Sequence, residues 1–335
     1  KQVCNEIVQR HDILRTHFSI QNGEAVQIID EKVELNFEGQ EEKELSEDQK
    51  KQLLSDFIRP FDLSKAPLFR IKVIKVESGN DLLFFDLHHI IVDGISISII
   101  VEEFTKLYAG KELEKPEIQF VDYCEWVSKR DLAGQRDFWL KELEHYPALD
   151  LPLDYKRPQI QCFKGKSVEC IVNKEMKESI KALCSQTGIT EYMLFLSVYM
   201  VLLSKYSRQE DIVVGTSVAA RNHQDIEDML GMFVNTLVMR GEPTGSKTFE
   251  VFLQEIKEMC LRVQENQEYP FDKIVEEIAA DRDFSKNPIA EVAFSYENFE
   301  SKELKAEGIE FKEISIDNVI SKMDLLITIA NYENG

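Results

Sequence analysis

The eight residues LHHIIVDG, 87–94, close an apolar run with two adjacent histidines and set an aspartate four residues after the second. Successive side chains of a strand point to opposite faces, so His88 and His89 cannot both enter one small site unless the strand has already ended. One of them is therefore expected to be structural and the other functional. Ahead of them, LFRIKVIKV (68–76) and DLLFFDLHH (81–89) flank Gly79-Asn80 and read as a β-hairpin. Behind them, Ile97, Ile100, Val101, Phe104, Leu107 and Tyr108 recur at three- and four-residue spacing before Gly110, the pattern of an amphipathic helix with a glycine stop. The histidines and Asp93 thus stand at a strand-to-helix junction.

Three chemistries compete for that junction. A metal site is disfavoured, because adjacent histidines on opposite faces plus one aspartate are poor ligand geometry and no third ligand at suitable spacing lies nearby. Satisfied core histidines are the plain structural reading. Acyl transfer is the third: an imidazole exchanges protons near neutral pH and can serve an attacking nucleophile. Asp93 would then orient the loop, and Gly94 would let a substrate approach the backbone closely. The helix that starts near Ile95 directs its unpaired N–H groups at the same point, where an oxyanion would develop.

Outward from the junction the chain alternates helix and strand. Residues 1–18 open as a helix (Val3, Ile7, Val8), followed by short strands at 15–20 and 25–29 around Asn22-Gly23, and by an acidic helix at 41–57. A Trp-bearing helical region spans 118–147. It ends in HYPALDLPLDYKRP (145–158), where Pro147, Pro152 and Pro158 break regular structure and suggest a boundary between lobes at about 155. The second half reads as strand 167–173, helix 175–187, apolar helix 191–205, strands 211–218 and 233–240, helix 248–265, and strands 290–297 and 323–331, an α/β lobe. FKGKS (163–167) fails as a phosphate loop, since Ile160 stands where a glycine is required.

Composition removes several classes of function. Forty Lys and Arg against 61 Asp and Glu give a net charge of -21, which argues against an extended nucleic-acid surface or a polybasic membrane patch. The longest apolar stretch, YMLFLSVYMVLL (192–203), falls short of the roughly 20 residues needed to cross a bilayer and reads as a buried helix. The six cysteines show no CxxC pair and no metal-ligand spacing, which suits reduced thiols in a cytoplasm. The chain opens at KQVCNEIVQRHD without a secretion signal and reads as a piece of something longer.

LHHIIVDG resembles the HHxxxDG signature of condensation domains from nonribosomal peptide synthetases, members of the chloramphenicol-acetyltransferase-like superfamily. Five further segments resemble that family in its order: RHDILRTHF (10–18), FVDYCEW (120–126), GMFVNTLVMR (231–240), NQEYPFD (266–272) and RDFSKNP (282–288). The HHxxxDG element also occurs in other acyltransferases, so the resemblance rests on the set. It implies an α/β fold of two chloramphenicol-acetyltransferase-like lobes arranged as a V around a central tunnel. Residues 1–155 would form the N-terminal lobe, without its first segment, and 156–335 the C-terminal lobe, without its last.

The resemblance also implies an activity: amide-bond formation between a donor acyl or peptidyl thioester and an acceptor aminoacyl thioester. Both would be carried on the 4'-phosphopantetheine arms of donor and acceptor peptidyl carrier proteins, beside an adenylation domain, in a monomeric module of a cytoplasmic multidomain synthetase with no bound metal or redox cofactor. By position His89 carries the catalytic role. His88, Asp93 and Gly94 support it, and Asp93 is expected to pair with an arginine, Arg240 first or Arg15 second. Ser96, Asn235 and Thr236 are weaker candidates for the tunnel or lobe interface, with a structural role weighed against that for Asn235 and Thr236. Epimerization domains show HHxxxDxxSW where this chain has Ile97, and heterocyclization domains replace the first histidine with Asp. A catalytically silent recruitment module, and a carrier-dependent acyltransferase acting on a free amine or alcohol, are the competing functions.

Overall fold

The structure is a computed structural model describing residues 1–278, 283, 285–297, 305–306, 309–312, 314 and 320–330. In chain order these form α1 (Gln2–Arg10), β1 (Thr16–Gln21), β2 (Glu24–Ile29), β3 (Asn36–Glu42), α2 (Glu47–Phe57), β4 (Phe69–Val76), β5 (Leu82–Leu87), α3 (Gly94–Tyr108), α4 (Phe120–Ser128) and α5 (Ala133–Glu142). They continue with α6 (Lys174–Thr187), α7 (Glu191–Ser207), β6 (Ile212–Val218), β7 (Asn235–Gly241), α8 (Phe249–Glu265), α9 (Phe271–Ile278), β8 (Val292–Glu297), β9 (Lys305–Ala306), β10 (Ile309–Glu310) and β11 (Leu325–Ala330). The chain forms two compact units.

The first unit holds residues 1–130, 221–233 and 302–316. Its sheet runs β3-β4-β5, with β3 parallel and β5 antiparallel to β4, and β1 and β2 form a separate hairpin. The alternation of β5 decides what lies on each side of that sheet. Leu83, Phe85 and Leu87 face a core shared with Phe69, Ile71, Ile100 and Phe104, so the apolar stripe read from the sequence does seat α3. Leu82 and Phe84 face the other way, onto Phe57 at the end of α2. Ile226, Met229, Leu230 and Phe233, far along the chain, complete the first of these cores.

The second unit holds residues 131–220, 234–301 and 317–335. Its sheet runs β11-β8-β6-β7, parallel except for the β6-β7 pair. Leu196, Tyr199, Met200 and Leu203 of α7 and Phe252, Ile256, Met259 and Val263 of α8 pack with its strands. Thr190 and Thr248 cap those helices by accepting from Met193 N and Val251 N. One face of α7 remains open, with Val198 and Leu202 exposed, so the apolar stretch at 192–203 is only partly buried. Among the described residues no single helix is long and apolar enough to cross a membrane.

Three sequence expectations change. The chain divides after Arg130 rather than near 155, because α5 buries Trp139 and Leu143 completely in the second unit's core, where Trp139 Nε1 donates to Asn266 O at 2.9 Å. Residues 36–42 are a strand and α2 begins only at Glu47: β3 is a charged strand whose partner, β4, supplies its ladder, so its own residues carry no apolar alternation. The expected strand at 167–173 pairs with no described strand, and Val168 and Ile171 stand exposed. Arg282 and Phe284 of the RDFSKNP segment, and Asn331 at the end of the last expected strand, lie outside the described residues.

Candidate active site

The histidine loop begins where β5 ends. His88 still takes part in the sheet, donating its N–H to Leu68 O at 3.0 Å, and its carbonyl then accepts from Ile91 N at 3.1 Å to close a turn. Its ring is held as well, since Nδ1 accepts the Ile90 N–H at 3.1 Å. That contact leaves Nε2 as the nitrogen that carries a proton in the neutral ring. Ile91 and Val92 drop into the core, and His89 between these anchors is exposed. The chain thus pins one histidine and presents the other.

Asp93 ends the loop as the N-cap of α3, its Oδ1 accepting from Ser96 N at 2.8 Å. Its carboxylate is buried and its partner is Arg221: Nη2 lies 3.0 Å from Oδ1 and 3.1 Å from Oδ2. Phe233 N also donates to Oδ2, at 3.3 Å. Arg221 Nη1 donates to the carbonyls of Ile226 and Met229, each at 2.6 Å, and the guanidinium lies 4.0 Å over the Phe233 ring. A single arginine therefore ties the start of α3 to the whole 221–233 segment.

Ser96 reinforces the same joint. Its hydroxyl donates to Gly231 O at 2.8 Å and accepts from Gly231 N at 3.1 Å and Arg221 Nη2 at 3.0 Å. With no exposed surface and this full set of partners, Ser96 is a bracket and not a lining residue. Gly231 has a steric reason to be glycine, since a Cβ there would lie 2.1 Å from the Phe120 ring. Phe120 in turn stands edge-on to Phe233, 5.1 Å between centroids. The segments FVDYCEW and GMFVNT meet here, as packing partners of the Asp93 joint.

Gly94 differs from Gly231. It is exposed, and a Cβ there would meet no protein atom within 4 Å. Its amide and that of Ile95 open α3, where backbone N–H groups have no intrahelical acceptor.

The two arginines expected at Asp93 are elsewhere. Arg240 pairs with Asp211 across Nε and Nη2, at 3.0 and 2.8 Å, and donates to Glu142 O and Glu144 O. Arg15 pairs with Asp12 and donates to Asp30 O, holding the foot of the β1-β2 hairpin. Asn235 is also a fastener: its amide nitrogen donates to Gln267 O and Tyr269 O, both at 2.8 Å, and its oxygen accepts from Thr236 N and Phe271 N. All of its hydrogen-bonding capacity is spent on NQEYPFD and on Thr236, its neighbour in β7. Nothing in the sequence singled out Arg221, because it lies 128 residues from Asp93 in a loop with no periodicity of its own.

The RHD segment acts on α3 about two turns further along the helix. Glu103 accepts from Arg10 Nη2 at 3.1 Å and meets His11 Nε2 at 2.8 Å. Burial would push its carboxyl up, but the His11 and Arg10 hydrogen bonds outweigh that and hold it below the ordinary value. α3 is thus clamped at Asp93, Ser96 and Glu103.

The family model for the condensation domain matches residues 1–334. The chain belongs to the condensation-domain family. It is 40% identical over 327 residues to bacitracin synthase 3 of Bacillus licheniformis, covering 96% of this chain and 5% of that protein. It is 42% identical over 334 residues to gramicidin S synthase 2 of Aneurinibacillus migulanus, covering 98% and 7%. It thus spans a small fraction of these curated relatives. Among solved structures, a four-domain nonribosomal peptide synthetase bound to AMP and glycine is similar with TM-score 0.81 and 28% identity, over 90% of this condensation domain and 23% of that chain. Condensation domains form amide bonds by acyl transfer between carrier-bound groups, and the α/β fold expected from the sequence is the one found.

Proposed function

We propose that this domain transfers a donor acyl or peptidyl group from one peptidyl carrier protein to the amine of an aminoacyl group on a second, each tethered through 4'-phosphopantetheine, within a cytoplasmic multidomain synthetase that also carries an adenylation domain. The amine attacks the donor thioester carbonyl, a C–N bond forms, the C–S bond breaks, and the amine proton leaves with the donor thiol. His89 receives the hydrogen bond or the proton of the attacking amine. Asp93 and Arg221 fix its loop, and the Gly94 and Ile95 amides face the oxyanion with the partial positive charge of the α3 N-terminus. A Cβ at Gly94 would meet no protein atom, so the space there is open to the substrate.

The observation that carries this reading is the contrast within LHHIIVDG: His88 and Asp93 are bound by the protein, while His89 is exposed in the turn that precedes a clamped helix. In this reading tethering raises the local concentration of both substrates.

The test uses the full synthetase module with donor and acceptor carriers loaded separately, and follows amide product on the acceptor carrier by intact-protein mass spectrometry. The expected result is a new amide that needs the acceptor carrier, with the free aminoacyl amine reacting at least about a hundredfold more slowly. Equal rates with a free amine or alcohol would instead establish a carrier-dependent acyltransferase. Carrier binding with no product from any acceptor would establish a recruitment module.

A further inference from the structure

The face of β5 that carries Leu82 and Phe84 over α2 turns polar as it nears the histidine loop, since Asp86 and His88 are the next two side chains on it. Asp86 stands opposite Arg70 in the β4-β5 register, and Arg70 Nε lies 2.9 Å from Asp86 Oδ2 as a close ion pair rather than an aligned hydrogen bond. Both side chains are largely withdrawn from solvent, at 6% and 17% exposure. Arg70 also donates to Arg59 O, and its guanidinium lies 3.7 Å over the Phe61 ring. On its other contact Phe61 meets His88, nearly perpendicular at 85° with 6.1 Å between centroids.

A buried ion pair is a costly way to finish a strand that is apolar up to Phe84, because both charges are desolvated and their attraction only partly offsets that. Burial accordingly pushes the Asp86 carboxyl up, against the opposing pull of Arg70, Arg59 and His88. Apolar residues at 70 and 86 would continue the layer at lower cost. What the pair provides is a fixed guanidinium plane, hence a fixed Phe61 ring, and hence a wall for one side of His88 whose Nδ1 is already held by Ile90 N–H.

We propose that Asp86, Arg70 and Phe61 are positioning residues for condensation, acting through the His88 ring to set the loop that presents His89. The proposal rests on the reading of His89 as the catalytic residue. Its prediction is coupling: disturbing Asp86 should slow amide formation only while His88 is present to transmit the change.

A double-mutant cycle in the full synthetase module tests this by single-turnover amide formation from preloaded carriers. Asp86→Asn should lower the rate on the order of tenfold or more, and Asp86→Glu should recover most of it. In a His88→Gln background the same Asp86→Asn change should cost less than about twofold, because the path is already cut. Should Asp86→Asn not fold, Phe61→Leu takes its place in the cycle, since it keeps the apolar volume and removes the ring edge. Full additivity of either substitution with His88→Gln, or a wild-type rate in the single variant, overturns the positioning role. A wild-type module that makes no amide overturns the condensation reading and the positioning role with it, whereas amide formation with additive effects overturns the positioning role alone.

Discussion

Arg221 and Arg240 solve the same local problem in two places. Each grips one aspartate through both carboxylate oxygens and donates from Nη1 to backbone carbonyls: Ile226, Glu227 and Met229 for Arg221, Glu142 and Glu144 for Arg240. They differ in burial. The side chains of Arg221 and Asp93 are 4% and 1% exposed, against 20% and 30% for Arg240 and Asp211. In the buried pair water cannot replace a lost partner, whereas in the open pair it can. Only the buried pair also carries the first turn of a helix beside an exposed histidine.

The sharpest way to break the comparison is to remove each arginine. Arg221→Ala leaves Asp93 buried and uncompensated and should destabilise by about 3–5 kcal/mol, read by chemical denaturation. Gly231→Ala comes next. Its methyl would collide with the Phe120 ring, and the repacking should cost roughly 1–3 kcal/mol while leaving the ion pair itself intact. Arg240→Ala should cost only about 1 kcal/mol, since solvent reaches Asp211. Equal losses for the two arginines would show that burial is not what separates them.

A third clamp supplies the smallest effect and a different readout. Burial alone would raise the Glu103 carboxyl, but its His11 and Arg10 hydrogen bonds hold it below the ordinary value of 4.5. A depressed folded value contributes stability that is present above the unfolded value and is lost as pH falls through the folded one. The stability of Glu103→Gln should therefore fall less steeply than wild type as pH drops below about 4.5. Parallel pH curves for the two would remove Glu103 from the clamp.

The histidine loop was legible because it is short and local. Periodicity places β4, β5 and α3 around it, and the alternation of a strand separates His88 from His89. The six ordered segments carried the family. What the sequence hid is what is distant or charged. Arg221 reaches Asp93 across 128 residues, so Arg240, which closes a recognisable segment, drew the assignment instead. β3 hid because its partner strand, not its own pattern, makes it a strand. By sequence Ser96 and Asn235 are only weak candidates for the tunnel or lobe interface, with a structural anchoring role weighed against that for Asn235, because their partners are distant in the chain. Their hydrogen bonds go to backbone groups of distant segments, Gly231 for Ser96 and Gln267, Tyr269 and Phe271 for Asn235.

His89 decides the account. The measurement is the single-turnover rate of amide formation between loaded donor and acceptor carriers, for the wild-type module and for His89→Ala, with thermal unfolding of both recorded alongside. His89 is exposed, so the variant should unfold at the wild-type temperature while its rate falls on the order of a hundredfold or more. Amide formation by His89→Ala at the wild-type rate would contradict the central claim.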